Sequence, residues 1–152
     1  MIIRNVTPAD YESLKIIKPS LDLETVTNRL NRQNKGEVEF LVLEDNFELV
    51  SFVLLKWNGK ETHPEYPDME DLYTKEDKRG KGYGSLLIKE CERKAKKKGF
   101  SKIGLAVNPQ ENDHANQLYQ HLGYQPTGEK TYVDGIYSGV EDWCIDMEKL
   151  IK

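Results

Sequence analysis

The stretch Arg79-Gly80-Lys81-Gly82-Tyr83-Gly84-Ser85 decides how the rest of the chain is read. Three alternate glycines allow the backbone to approach a ligand closely, and a helix that starts just after them offers unpaired N–H groups and a positive dipole end. Arg79 and Lys81 add formal charge, so the segment has the chemistry of a diphosphate site. It is neither of two familiar phosphate loops. A dinucleotide fingerprint needs glycine where Ser85 stands, and a Walker loop needs GxxxxGK followed by Ser or Thr. A glycine-rich turn without a ligand is the plain alternative. The order strand, basic glycine loop, long helix favours the ligand.

Working outward, Met69-Glu70-Asp71-Leu72-Tyr73-Thr74 predicts the strand that enters the loop. A helix leaves it and runs to Lys98, with Leu87, Cys91 and Ala95 on one stripe and Gly99 as its stop. Upstream, residues 2–5 read as a strand. Thr7-Pro8-Ala9-Asp10 reads as a helix start, and residues 22–33 as a second helix. Residues 40–43 and 49–55 are apolar, β-rich runs joined by Glu44-Asp45-Asn46, which predicts a hairpin. Downstream come a strand over 103–107, a helix over 115–122 ended by Gly123, and two strands over 128–133 and 141–147. Asp134-Gly135 is the turn signal between these last two. The order β-α-α-β-β-β-α-β-α-β-β predicts an α/β (α+β) fold, a mixed and largely antiparallel sheet flanked by helices.

The 152 residues suit one domain spanning 1–152, large enough to bury a core without disulfides. Cys91 and Cys144 are far apart and lack metal-ligand spacing, so neither a disulfide framework nor a zinc site is expected. His63, His114 and His121 do not form a metal spacing either. No apolar run approaches the ~18–20 residues of a membrane span, and the first residues lack a signal peptide's apolar stretch, which gives the expectation of a cytoplasmic protein. Net charge is −4 from 22 basic and 26 acidic residues. With a pI near 5.5, that points away from nucleic acid. The basic run Arg93-Lys94-Ala95-Lys96-Lys97-Lys98 reads as the solvated last turn of a helix.

Arg79-x-x-Gly82-x-Gly84, with Glu70-Asp71-Leu72-Tyr73-Thr74 before it, resembles the acyl-CoA loop and fourth strand of the GNAT superfamily of N-acetyltransferases. Asn112-x-x-Ala115-x-x-Leu118-Tyr119, followed by Leu122-Gly123-Tyr124, resembles that family's second signature. The likeness covers nearly the whole chain and is weakest over 11–37 and 56–68, where the family varies its acceptor site. Thr74 departs from the usual branched apolar residue, and Asn108-Pro109-Gln110-Glu111 lengthens the connection before Asn112. The fold implied is the acyl-CoA N-acyltransferase type.

The resemblance implies acetyl-CoA as acetyl donor, coenzyme A as product and no metal. Backbone N–H groups from Gly80 to Ser85 (Gly80, Lys81, Gly82, Tyr83, Gly84, Ser85) would hold the diphosphate with Arg79. Main-chain groups of Leu72, Tyr73 and Thr74 would pair with the pantetheine arm as an added strand. Asn112 would cap its helix and touch coenzyme A. Acyl transfer needs a neutral amine, whereas an alkylammonium has a pKa near ~10.4, so a base is useful. Period-two alternation puts Glu70 on the face of Leu72 and Thr74, with Asp68 on that face too. Polyamine and diamine acetyltransferases of the superfamily carry a similar Glu-Asp pair at this spacing, with the Glu a proposed base acting through water. Glu70 is therefore the base candidate and Asp68 the second. Tyr119 is the candidate acid for the departing thiolate, its plain alternative being a packing tyrosine.

The acidic cluster Glu61, Glu65, Asp68, Glu70 and Asp71 predicts attraction of a small cationic amine, with an ordinary solvated loop as the alternative. Trp57, Tyr66, Tyr132, Tyr137 and Trp143 either line an acceptor cleft or pack the core. Neither cysteine stands where a nucleophile would, so direct transfer in a ternary complex is expected. Three rivals stay open: a non-catalytic coenzyme A-binding module, a protein N-terminal or lysine acetyltransferase, and an RNA-associated protein using residues 93–98. Acceptor identity and monomer versus homodimer stay open as well.

Overall fold

The computed structural model describes residues 1–109, 113–128, 132–137 and 139–152. In chain order the elements are β1 (Ile2–Asn5), a 3-10 turn (Pro8–Asp10), α1 (Tyr11–Ile17), α2 (Leu23–Asn34), β2 (Val38–Asp45), β3 (Glu48–Lys56) and β4 (Asp68–Thr74). A second 3-10 turn (Glu76–Lys78) leads into α3 (Tyr83–Lys97). Then come β5 (Lys102–Val107), α4 (Asp113–His121), β6 (Gln125–Pro126), β7 (Tyr132–Tyr137) and β8 (Val140–Leu150). The strands form one sheet in the order β1-β2-β3-β4-β5-β8-β6, with β7 also on β8. Every pairing is antiparallel except β4 with β5. The mixed, largely antiparallel sheet expected from the element order is the one found.

Both faces of the sheet carry a core. Leu41, Leu43, Val53 and Leu55 pack with Leu87, Ile88, Cys91 and Ala95 of α3. Phe40, Val42, Phe52 and Leu54 pack on the other face with Leu14, Ile17 and Val26 of α1 and α2. Burial on both faces is why these two strands read as continuous apolar runs rather than alternating ones. Asp22 caps α2 by accepting the Thr25 N–H at 2.8 Å. At the end of α3 the Phe100 N–H reaches the Ala95 carbonyl at 3.0 Å, the closing bond of a helix stopped by a left-handed Gly99. The basic run there is partly engaged, with Lys94 Nζ 3.1 Å from Glu39 and Lys98 Nζ 4.0 Å above the Trp57 ring.

Three expectations need correcting. The β2–β3 strands run through Glu44 and Asp45, so the turn is Asn46-Phe47, both with positive φ, as a two-residue hairpin turn requires. Asp134-Gly135 is not a turn. It lies inside β7, at a register shift between Val133 and Gly135. The third concerns the site. Between Glu70 and Tyr73 the β3–β4 register shifts, and Asp71 takes φ +54. This bulge inverts the alternation. Glu70 sits opposite Leu54 on the α1–α2 face, with Asp68 on the same face opposite Lys56. Leu72 packs in the α3-side core, and Thr74 pairs with Ser51 on that same side. Glu70 therefore does not share a face with Leu72 and Thr74.

Candidate active site

Strands β4 and β5 pair only at Asp68 with Gly104 and Met69 with Leu105. Beyond that point they diverge, so the β5-facing edge of residues 70–74 lies open toward Ala106 and Val107. The wedge widens into a cleft of about 920 Å³ walled by the α1–α2 segment, β4, β5, Ile88 of α3 and Tyr119 of α4. The Asp71 bulge and the strand split occur together. A left-handed, non-glycine residue costs roughly 1–2 kcal/mol, and such strain persists where surrounding contacts impose it. Here Lys18 Nζ at 2.7 Å and Arg29 Nη2 at 2.9 Å grip the Asp71 carboxylate.

The loop after β4 is bound back to it. Arg79 Nε donates to the Thr74 carbonyl at 3.0 Å, and its guanidinium lies 5.1 Å from the Tyr73 ring centroid. Gly82, at φ +86, is the N-cap residue of α3 and has no side chain to cap it; the first turn holds no acidic residue. The first helical bond is Leu86 N–H to Gly82 C=O at 3.1 Å, so the N–H groups of residues 83–85 emerge from the helix end. A Cβ on Gly82 would meet no protein atom within 4 Å: the glycine leaves space in front of the helix start. Tyr83 instead turns its side chain inward, its phenol donating to Asp45 at 2.5 Å. Thr74 departs from an apolar residue for a cross-strand reason. Its hydroxyl shares a 2.8 Å hydrogen bond with that of Ser51, which lies opposite it.

Burial pushes the Tyr119 phenol up to about 12, so it stays protonated. Its ring meets Tyr124 edge-on at 6.4 Å. Across the cleft, Asp68 is buried, and desolvation pushes its carboxyl up from the usual carboxylate range. His63 Nε2 stands 3.2 Å from Asp68 Oδ1, and the His63 ring stacks on Tyr66 at 4.3 Å against Gly104, where a Cβ would crowd both rings at 3.0 Å. Burial alone would depress His63. Asp68 outweighs that and holds it above its ordinary value. Glu70 is different: its side chain is 47% exposed and lies 3.3 Å from Lys56 Nζ.

The profile of the acetyltransferase (GNAT) family matches residues 6–124. The chain belongs to that family. Bovine (Bos taurus) thialysine N-epsilon-acetyltransferase is 38% identical over 77 residues, 51% of this chain and 42% of that protein. The chain thus spans less than half the length of that curated relative. Among solved structures, ribosomal-protein-alanine N-acetyltransferase from Brucella melitensis superposes with a TM-score of 0.81 over 99% of both chains at 20% identity. A phosphinothricin acetyltransferase of the GNAT superfamily from Sinorhizobium meliloti, solved with AcCoA, gives 0.79 over 99% of this chain and 88% of that one at 16% identity. Both likenesses concern the fold.

Within this GNAT chain, Asp68, Glu70, Asp71, Leu72 and Tyr119 all border the one cleft, while Tyr73 turns toward Phe52, stacked at 6.2 Å. Asn112 lies outside the described residues. Trp57 and Tyr66 are buried, whereas Trp143 is exposed. Sequence reading missed Lys18, Arg29, Lys56 and Lys60, which also border the cleft. They come from segments without a motif, and Lys18 meets Asp71 across 53 residues of chain. No local pattern marks such a pair. Among the described residues no His, Cys, Asp and Glu grouping suits a metal ion, and no helix is long and apolar enough to cross a membrane.

Proposed function

We propose that this protein is an N-acetyltransferase that moves an acetyl group from acetyl-CoA to a primary amine within a ternary complex. The observation that carries this reading is the β4–β5 split, opening beside the uncapped start of α3 with Tyr119 in the same cleft. The residues suit an acyl-CoA. The N–H groups of residues 83–85, the open space at Gly82 and the cations Arg79 and Lys81 suit a diphosphate. The edge of Leu72, Tyr73 and Thr74 that β5 leaves unpaired, with the Thr74 carbonyl already accepting from Arg79, suits an amide-bearing arm laid along it as a strand. A main-chain N–H on that edge is also the group that would polarise a thioester carbonyl. The bovine relative's name, thialysine N-epsilon-acetyltransferase, agrees with an amine acceptor.

The roles follow from protonation. Tyr119, kept as a phenol by burial, donates a proton to the leaving thiolate, whose conjugate acid has an ordinary pKa near ~8.5, and takes its own proton back from solvent. Glu70, through water, receives the proton of the amine, with Asp68 as the second candidate on the same strand face. Transfer is read as direct: Cys91 is buried in the core, where desolvation pushes its thiol far up, and Cys144, which against the sequence expectation does border the cleft, is itself buried. A thiol-release screen of small amines, amino acids, aminoglycosides and peptides with acetyl-CoA tests the proposal. It predicts coenzyme A release that depends on an amine, and no acetylated protein with acetyl-CoA alone. Binding of acetyl-CoA without turnover of any amine would instead make the chain a coenzyme A-binding module.

A further inference from the structure

Two buried acceptors face each other where the loop before β4 meets the strand. The His63 side chain is 3% exposed and that of Asp68 4%, with Nε2 and Oδ1 3.2 Å apart. Neither atom has a hydrogen bond among the described residues. The other ring nitrogen decides what belongs between them. Nδ1 lies 3.4 Å from the Tyr66 carbonyl, which can only accept, so Nδ1 carries the proton of a neutral ring and Nε2 is bare. A neutral His63 and an ionised Asp68 therefore aim two lone pairs at each other, away from water. One proton would satisfy both. The ring is fixed in that position by its stack on Tyr66 and by Gly104 behind it. The charges around the pair are mostly engaged elsewhere. Lys60 stands 3.7 Å from Asp68 Oδ1 but only 2.8 Å from Asp146, and Lys56, opposite Asp68 on β3, is 3.3 Å from Glu70. Past the Tyr66 ring, Glu148 accepts from the Tyr66 hydroxyl at 2.9 Å and has Lys102 at 3.5 Å, with Glu65 bordering the same small pocket.

We infer that Asp68 and His63 hold between them the proton that the acceptor amine gives up, which makes His63 a positioning residue for acetyl transfer. The inference rests on the acetyltransferase reading and deepens it at the second candidate base. Asp68 borders the cleft, whereas His63 borders a separate pocket of about 160 Å³ that shares no lining residue with it. The step balances as follows. An ammonium N–H bond breaks, the proton crosses cleft water that also meets Glu70 on the same strand face, and an O–H bond forms on Asp68, shared with His63 Nε2. The freed nitrogen lone pair attacks the thioester carbonyl. Once the products have left, the pair returns its proton to cleft water. Desolvation pushes the Asp68 carboxyl up, and against its own desolvation His63 is held above its ordinary value by Asp68. The pair thus binds a proton more firmly than a lone carboxylate in water, as removal of a proton from an amine requires.

The test uses the full chain with saturating acetyl-CoA and thialysine, spermidine or an alanine-ended peptide as trial acceptors. His63→Ala and Asp68→Asn should each lower kcat by on the order of ten-fold or more, with KM for the amine changed about two-fold at most. The double variant should be no slower than the slower single one, because the two residues act as a unit. His63→Ala opens onto the small pocket, so added imidazole should restore much of kcat. Pyrazole, a ring of the same shape that is not a base near neutral pH, should not. Equal rescue by both rings, or rescue by neither, overturns the inference, as does a His63→Ala kcat within about two-fold of wild type from pH 6 to 9. Ring ¹⁵N shifts decide if His63→Ala does not fold. His63 should take up its second proton near neutral pH in the wild type and at lower pH in Asp68→Asn, and a ring indifferent to Asp68 overturns the pair. Amine-dependent coenzyme A release that ignores His63 removes the pair and keeps the acetyltransferase. No release with any amine removes both.

Discussion

Tyr119 illustrates how burial sets a role. Its phenol, pushed up to about 12, loses its proton only well above the ordinary value near ~10, so the acid form persists through the usual assay range. Tyr119→Phe should lower kcat on the order of 10²-fold, evenly from pH 7 to 10, with acetyl-CoA affinity little changed. Pre-steady-state thiol release checks this, and an unchanged chemical step would return Tyr119 to packing against Tyr124. Glu70 makes a second test. Glu70→Gln keeps the size and removes the charge, so kcat/KM for the acceptor should fall by on the order of ten-fold. Raising the pH should partly restore it, because more amine then arrives neutral. A variant whose kinetic constants match the wild type would pass the base role to Asp68, whose carboxyl burial already pushes up. Glu70 and Asp68 were legible in the sequence as acids before a loop. Their different burial was not, because it depends on Lys56, His63 and Lys60 arriving from elsewhere.

At the scale of elements, the loop-to-helix junction carries the sharpest prediction. Gly82 holds φ +86, a conformation that costs an L side chain roughly 1–2 kcal/mol, and it leaves open space before the helix start. Gly82→Val should lower stability by about that amount. It should weaken acetyl-CoA binding far more, because the branched side chain fills the approach to the N–H groups of residues 83–85. Isothermal titration of the folded variant measures this, and wild-type affinity would remove the loop from the site. The junction was readable from local sequence because glycine spacing, helix stripe and stop signal all lie within residues 79–99. The face assignment of β4 was not. Alternation assumes an unbroken pleat, and the bulge at Asp71 is imposed by Lys18 and Arg29 together with a register shift against β3. The β7 register shift at Val133 and Gly135 misled in the same way, since a turn dipeptide fits a bulge inside a longer hairpin as well.

For the molecule as a whole, the open wedge leaves β4 and β5 unpaired with each other beyond Met69 and Leu105, at the centre of the sheet. A ligand that bridges them should stabilise the native state by mass action, about 2.7 kcal/mol at a hundred times Kd. For a chain of this size that is a rise in Tm of roughly 5–10 °C, readable by calorimetry with coenzyme A. The absence of any shift at saturating coenzyme A would mean that the wedge is not its site. The sequence by itself determined the order of the elements, the mixed sheet with helices on it, the glycine loop and the family likeness, since each is written in residues close together along the chain. Tertiary structure alone decided which charges meet. Four cations, from the end of α1, from α2, from β3 and from the loop after it, converge with the carboxylates of β4 and with Asp146. Coulomb energy depends on distance in space, and sequence separation fixes that distance only within a single helix or strand.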